Sequence, residues 1–376
     1  MNILIFSWRG IGHPNAGGAE IVTFEHARAW VNAGHKVTLF TSSYRGCKKN
    51  QLISGVNIIH HGNEVLGVQV AAFFWYLFKT NEVFDLVVDE FHGIPFFTPL
   101  YIKKSRLAFI HEVTKEVWKL NSWPSPLNFL PGLLGPIIEP FIFKFIYKNT
   151  PFMTVSNSTK KELMEWGISG ENICIIHNGV NKPDIKSSKK TGKIKTLIFL
   201  GAVTKDKGVG DALKAFLILI NKFQADFEFW IVGKGEARYI NYLKSQLGKE
   251  VLSKIKFFGF VDEKKKFQLL AKADILIHPS VREGWGLVVI EAASVGTPTI
   301  GFNSPGLNDS IIDNQTGIIC KSNTSLELAE IVDDLSKNQA KYQSLSEKAI
   351  IWSKNFSWKK STQESLNLIN KLSKLD

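Results

Sequence analysis

Cysteine is scarce in this chain, with only Cys47, Cys174 and Cys320 among 376 residues. An odd number without close spacing argues against both a disulfide framework and a zinc site, and fits a reducing compartment. Long apolar runs are lacking too. Val68 to Phe78 is short, and Phe129 to Tyr147 is interrupted by Pro131, Pro136, Glu139, Pro140 and Lys144, whereas a spanning helix needs roughly 18 apolar residues in succession. The first residues, Met1 to Phe6, turn apolar at once without a basic leader or a small-residue cleavage site. They read as a strand rather than a signal peptide, and the expected location is the cytoplasm. Acidic residues are outnumbered, 34 against 46 lysines and arginines, for a net charge of +12. A positive field gathers anionic small molecules, lipids or nucleic acid, but there is no zinc-finger spacing, aromatic RNA-binding signature or long basic helix, so nucleic acid is not the expected partner. Asp-x-Asp is absent and the histidines are scattered, so no metal is demanded.

What is present is alternation. Asn2 to Ser7 has a buried-strand pattern, Gly18 to Ala33 a helical one closed by Gly34, and Lys36 to Thr41 is strand-like again, a βαβ opening. Further strands are expected at Val56 to His60, Phe84 to Asp89, Leu107 to His111, Phe152 to Val155 and Asn172 to Ile176. Asn181 to Lys195 is rich in Lys, Ser and Gly and reads as a linker. A second series follows, with strands at Thr196 to Gly201, Phe227 to Val232, Lys256 to Gly259, Ile275 to His278 and Thr297 to Gly301. Helices are expected between them at Asp211 to Phe223, Ala237 to Leu247 and Lys264 to Lys272, and then at Leu326 to Leu335, Lys341 to Lys354 and Trp358 to Leu372. Leu366, Ile369 and Leu372 would share part of one face. Such alternation predicts parallel sheets covered on both faces, hence an α/β protein of two doubly wound domains facing a central cleft. The domains are expected at 1–180, rejoined by a terminal helix at about 355–376, and at 181–354.

The most informative stretch is Pro279-Ser280 followed by Arg282-Glu283-Gly284-Trp285-Gly286-Leu287-Val288-Val289-Ile290-Glu291-Ala292. It sets two carboxylates around a glycine-rich turn that opens a helix. The amides of Gly286, Leu287 and Val288 would lack intrahelical acceptors and point at an anion. A diphosphate would satisfy them, and Glu283 and Glu291 would accept from sugar hydroxyls. Asn15-Ala16-Gly17-Gly18-Ala19-Glu20 forms an earlier glycine loop between the first strand and helix, without the G-x-G-x-x-G of a dehydrogenase. His111 ends a strand, and Lys207-Gly208 precedes a helix.

The run from Glu283 to Glu291 resembles the E-x7-E signature of the retaining glycosyltransferases of family four, which have the GT-B fold. The Gly17-Gly18 loop, His111, Asn178-Gly179-Val180, Lys207-Gly208, the glutamate pair and the segment at Trp358 occur in that family's order. The resemblance implies that Gly18 approaches the donor phosphate, that His111 contacts the reacting sugar or acceptor, and that Lys207 neutralises the leaving diphosphate. It further implies that Glu283 contacts hydroxyls of the transferred sugar and that Glu291 holds the ribose. Catalytic roles thus fall on His111, Glu283 and Lys207. Donor contacts fall on Gly17, Gly18, Gly235, Phe260, Val261, Gly284, Trp285, Gly286, Leu287, Val288 and Glu291, with Gly235, Phe260 and Val261 bordering the base or forming ordinary turns. Ala202 stands where the family carries an arginine, with Arg282 or Lys205 as substitutes.

The function implied is transfer of a sugar from a nucleoside diphosphate donor, UDP ahead of GDP, to a hydroxyl acceptor, either lipid-linked or part of a polysaccharide. A sugar-nucleotide epimerase and a non-catalytic sugar-nucleotide-binding protein are the alternatives. Val117-Trp118-Lys119-Leu120 through Tyr147 mixes prolines and large apolar residues with lysines. It is either a lip in peripheral contact with an anionic membrane or a covering of the first domain's own core.

Overall fold

The computed structural model describes residues 1–64, 66–91, 93–120, 129–181 and 193–374. The chain divides into two compact units, Met1–Gly179 with Trp358–Asp376, and Val180–Ser357. Most of the expected linker, 182–192, lies outside the described residues, as does 121–128 of the expected lip.

The first unit is built on an eight-stranded sheet of β1 (Asn2–Ser7), β2 (Lys36–Thr41), β3 (Asn50–Ile53), β4 (Val56–His60), β5 (Leu86–Phe91), β6 (Ser105–Ile110), β7 (Phe152–Thr154) and β8 (Ile173–Ile175). Their order is β3-β4-β2-β1-β5-β6-β7-β8. All pairings are parallel except that of β3 with β4. β5 is buried at every position, the mark of a strand covered on both faces. The helices are α1 (Gly18–Asn32), α2 (Gly67–Phe78), α3 (Phe129–Phe145) and α4 (Asn157–Glu165).

In the second unit β9 (Thr196–Leu200), β10 (Glu228–Val232), β11 (Ile255–Gly259), β12 (Ile275–His278), β13 (Thr299–Gly301) and β14 (Gly317–Ile319) form a parallel sheet. Its order is β11-β10-β9-β12-β13-β14. It is accompanied by α5 (Val209–Asn221), α6 (Ala237–Ser245), α7 (Lys249–Ser253), α8 (Glu263–Lys272), α9 (Leu287–Ser294), α10 (Leu307–Ser310), α11 (Ser325–Lys337) and α12 (Gln339–Ser353).

The terminal helix α13 (Trp358–Leu372) belongs to the first unit. Its buried residues Ser361, Ser365, Ile369 and Leu372 recur at helical spacing, while Leu366 is only partly buried. Ser365 Oγ lies 2.8 Å from His26 Nδ1 and accepts from Trp30 Nε1 at 3.0 Å, which ties α13 to α1. Burial, with His111 nearby, pushes the fully enclosed His26 imidazole down to about 3, so it stays neutral.

The described residues of the 117–147 stretch have both an inward and an outward side. The α3 helix runs through Pro136 and Pro140. Trp118 turns inward, its Nε1 donating to Glu139 at 2.9 Å, and Glu139 also accepts from the amides of Thr114 and Lys115. Tyr147 and Phe143 lie in the core. Phe129, Leu133, Ile137, Phe141 and Phe145 recur every four residues along α3 and are all exposed. Among the described residues no helix is long and apolar enough to cross a membrane.

Candidate active site

In each sheet the strand order reverses beside the unit's first strand, and in open α/β sheets ligands bind beyond the carboxyl ends of the strands at such a reversal. In the second unit the reversal lies between β9 and β12, which are direct neighbours. Lys207 sits in the loop leaving β9, and Glu283 in the loop leaving β12. The two loops are joined by Val281 N donating to Asp206 O at 2.9 Å. Gly208 makes the approach feasible, since at φ +75° a Cβ there would stand 1.9 Å from the Pro279 carbonyl oxygen. On the other side, Glu283 N donates to Pro305 O at 3.1 Å. Gly306, at φ +78°, leaves that turn open, because a Cβ would fall 2.1 Å from the Glu283 carbonyl oxygen.

These loops bring two of the expected catalytic residues together. Lys207 Nζ donates to Glu283 Oε1 at 2.9 Å, and His278 Nε2 lies 3.1 Å from the same oxygen. Burial alone would raise the Glu283 carboxyl, but the Lys207 ammonium and the His278 imidazole hold it well below the usual carboxylate range. It is therefore an ionised acceptor. Glu283 keeps 15% of its side chain exposed against 1% for His278, so the carboxylate is accessible and the ring is not. His278 was not singled out from the sequence. Its position at the end of a strand, five residues before Glu283, was the available signal.

The α9 helix begins two residues after Trp285, with Gly286 as its cap at φ 77° and no side chain capping it. Among the described residues no acceptor within the chain meets the amides of Gly286, Leu287 or Val288. Glu291 lies in the second turn, 6% exposed, and accepts from Lys266 Nζ of α8 at 2.5 Å. Burial raises its carboxyl, and Lys266 offsets this only in part. Lys266 also escaped the sequence reading, because its partner lies 25 residues away on another helix.

Other expected donor contacts divide by side chain. The Trp285 ring is buried, with its centroid 5.0 Å from that of Phe356. Gly235 lies against Val203, where a Cβ would be 2.6 Å from the Val203 Cβ. Phe260 is 80% exposed just beyond β11, and Val261 is half-buried beside it. Ala202 and Lys205 are exposed, whereas Arg282 is buried.

In the first unit the reversal lies between β1 and β5. The loop leaving β1 carries Gly17 and Gly18, and Gly17 N donates to Glu20 Oε2 at 2.7 Å. The Gly17 amide is thus engaged, and Gly18 opens the helix, where first-turn amides lack intrahelical acceptors. Glu20 Oε1 in turn accepts from Arg9 Nε at 2.9 Å, and Arg9 also reaches Glu64. His111 lies one residue beyond β6, with its Nε2 3.5 Å from Glu90 Oε1 at the end of β5. Arg9, Glu64 and Glu90 were likewise absent from the sequence reading, since only the strand order makes them neighbours of the expected residues. Asn178, before the unit boundary, is buried.

Known proteins agree with this architecture. Residues 180–352 match the family model described as glycosyl transferases group 1, and residues 16–182 match that of glycosyltransferase family 4. An uncharacterised glycosyltransferase of Methanocaldococcus jannaschii is 27% identical over 287 residues, 73% of this chain and 71% of that protein. Among solved structures, sucrose-phosphate synthase from Thermosynechococcus elongatus aligns with a TM-score of 0.79 at 18% identity, covering 100% of both chains. Anabaena HepE in complex with UDP-glucose aligns with a TM-score of 0.74 at 16% identity, covering 98% of this chain and 99% of that one. With two family models spanning 16–352 and a doubly wound parallel sheet in each unit, this chain belongs to the family-four glycosyltransferases and has the GT-B fold.

Proposed function

We propose that the chain moves a sugar from a nucleoside diphosphate donor, a UDP-sugar ahead of a GDP-sugar, to a hydroxyl acceptor with retention of configuration. The observation that carries this reading is the Lys207–Glu283 pair, joined at 2.9 Å, in loops flanking the reversal of the second sheet, with the open amides of α9 following Glu283 in the same loop. As the bond from the anomeric carbon to phosphate oxygen stretches, negative charge grows on the diphosphate. Fixed amides and an ammonium stabilise that charge without reorganising solvent. Glu283, held ionised, accepts from hydroxyls of the transferred sugar, and Glu291 accepts from the ribose. Phe260 offers an exposed ring for the base. His111 contacts the reacting sugar or the acceptor.

The preference for UDP is supported by the likeness to HepE, whose structure holds UDP-glucose. Retention rests on the resemblance of the E-x7-E run to retaining enzymes, in which the departing phosphate oxygen takes the acceptor proton. A lipid-linked acceptor and peripheral contact with an anionic membrane are supported by two features of the first unit. One is the exposed apolar row on α3. The other is a groove of about 710 Å³ beside α2, lined by Leu66, Val70, Phe74, Trp75 and Phe78, with Lys79 among its lining residues.

Incubation with a panel of sugar nucleotides, with and without glycan and lipid-linked acceptors, followed by mass spectrometry, tests the reading. An acceptor heavier by one sugar, of unchanged anomeric configuration by NMR, is the expected product. Sugar isomerisation without acceptor would identify an epimerase, and tight donor binding without turnover a binding protein. Cosedimentation with anionic vesicles tests the membrane contact, which is abandoned if the protein stays in the supernatant.

A further inference from the structure

At the reversal of the first sheet a carboxylate and an imidazole face each other with unmet bonding capacity. Glu90 and His111 are 4% and 5% exposed. Parallel register sets Glu90 level with Ser7 on β1 and with Phe109 on β6. Side chains alternate along a strand, so Glu90, Phe109 and His111 share one face of the sheet. The His111 ring is held from the side by Phe109, with centroids 4.4 Å apart. Its carbonyl accepts from Thr159 Oγ1 at 3.1 Å, in the first turn of α4, where Ser156 Oγ receives the Thr159 amide. The backbone is thus tied down, and the ring contacted, by groups other than Glu90. Yet Glu90 Oε2 and His111 Nε2 are both buried without a hydrogen-bond partner among the described residues. Glu90 Oε1 stands 3.5 Å from that nitrogen, and no lysine or arginine among the described residues pairs with this carboxylate.

A carboxylate without its proton only accepts, so an imidazole nitrogen turned toward it is favoured in its N–H form. A neutral ring protonated on Nε2 carries its lone pair on Nδ1. We propose that Glu90 is a positioning residue that holds His111 in the Nε2–H tautomer, so that Nδ1 accepts a hydrogen bond from a hydroxyl of the reacting sugar or acceptor. The role of His111 toward the sugar rests on the function proposed above, whereas the tautomer does not. Opposite polarity, with Glu90 donating to Nε2, would present an N–H from Nδ1 and reverse the kind of group that His111 can bind.

The test uses the full chain labelled with ¹⁵N-histidine, at a pH well above the ordinary histidine value of about 6.5. Two-bond proton–nitrogen spectra report the tautomer, and the His111 signals are assigned by their loss in His111→Asn. A single Nε2–H form is expected in the unaltered protein, and a mixture of both tautomers in Glu90→Gln, whose carboxamide can donate as well as accept. Turnover of Glu90→Gln should fall on the order of tenfold, the lower end of the loss seen when the partner that orients a metal-bound imidazole is removed. An Nδ1–H form in the unaltered protein overturns the proposal, even if Glu90→Gln fails to fold. An unchanged tautomer in a folded Glu90→Gln overturns it too. Normal transfer by His111→Asn would instead remove the role of His111 and leave the tautomer result standing.

Discussion

The two sheet reversals solve the same problem in different ways. Each gathers a carboxylate and an imidazole at the carboxyl ends of parallel strands. In the second unit Lys207 supplies a full positive charge, the carboxylate makes two contacts within 3.1 Å, and its ionised form is strongly favoured. In the first unit Glu90 faces His111 at 3.5 Å, and both retain an unpartnered atom. A cation turns a buried carboxylate into a fixed anion, as the role proposed for Glu283 requires. Without one, the carboxylate acts on its neighbour, and what it fixes is the position of a proton.

The sharpest way to break this contrast is to remove the cation. Lys207→Ala should lower turnover by on the order of a hundredfold or more, the scale set by losing one preorganised charge-stabilising group, while circular dichroism shows a folded protein. Lys214→Ala, seven residues further along the chain and 70% exposed, should leave turnover near that of the unaltered chain. Equal effects of the two would mean that net charge matters and the pairing does not. Next in size, Gly208→Ala should destabilise the protein by about 2 kcal/mol or more in denaturant unfolding, because it adds a strained backbone and a collision with the Pro279 carbonyl.

Smaller effects distinguish the two glutamates by sign. Glu283 has a depressed folded value, so its contribution to stability is present above the unfolded value of 4.5 and is lost as the pH falls further. Relative to Glu283→Gln, the unaltered chain should lose its advantage in acid. Glu291 has a raised value, and its contribution is fully present below 4.5 and lost as the pH climbs through the folded value. Relative to Glu291→Gln, the unaltered chain should gain in acid. Two unfolding series from pH 3 to 7, a range spanning the unfolded value of 4.5, decide this, and slopes of the same sign would contradict it. In the first unit, neutral His26 supports stability above 6.5, and that support fades as the pH drops toward about 3. His26→Gln should flatten this part of the pH dependence.

Much of the architecture was legible because hydrophobic runs and helical periods alternate along the chain, and β1, β2, β4 and β12 have the bounds expected from the sequence. The missed strands had weak patterns. β3 reads Asn-Gln-Leu-Ile, is nowhere buried and pairs antiparallel at the sheet edge, while β14 has only three residues. Prolines concealed α3, which nonetheless runs through two of them on a largely exposed helix. At the site, Glu283, Glu291 and Lys207 could be named from motif spacing. Their partners could not, because Lys266 meets Glu291 across two helices and Glu90 meets His111 across two strands, contacts fixed by register and packing and unmarked by local spacing.

Calorimetric titration of UDP into the unaltered protein and into Lys207→Ala tests the central claim most directly, because it needs neither the sugar nor the acceptor. The expected result is saturable binding weakened roughly tenfold or more by the substitution, a loss of about 1.4 kcal/mol or greater. Equal affinity in the two proteins, or no UDP binding by either together with binding of another nucleoside diphosphate that ignores Lys207, would contradict the assignment of this loop pair as the diphosphate site.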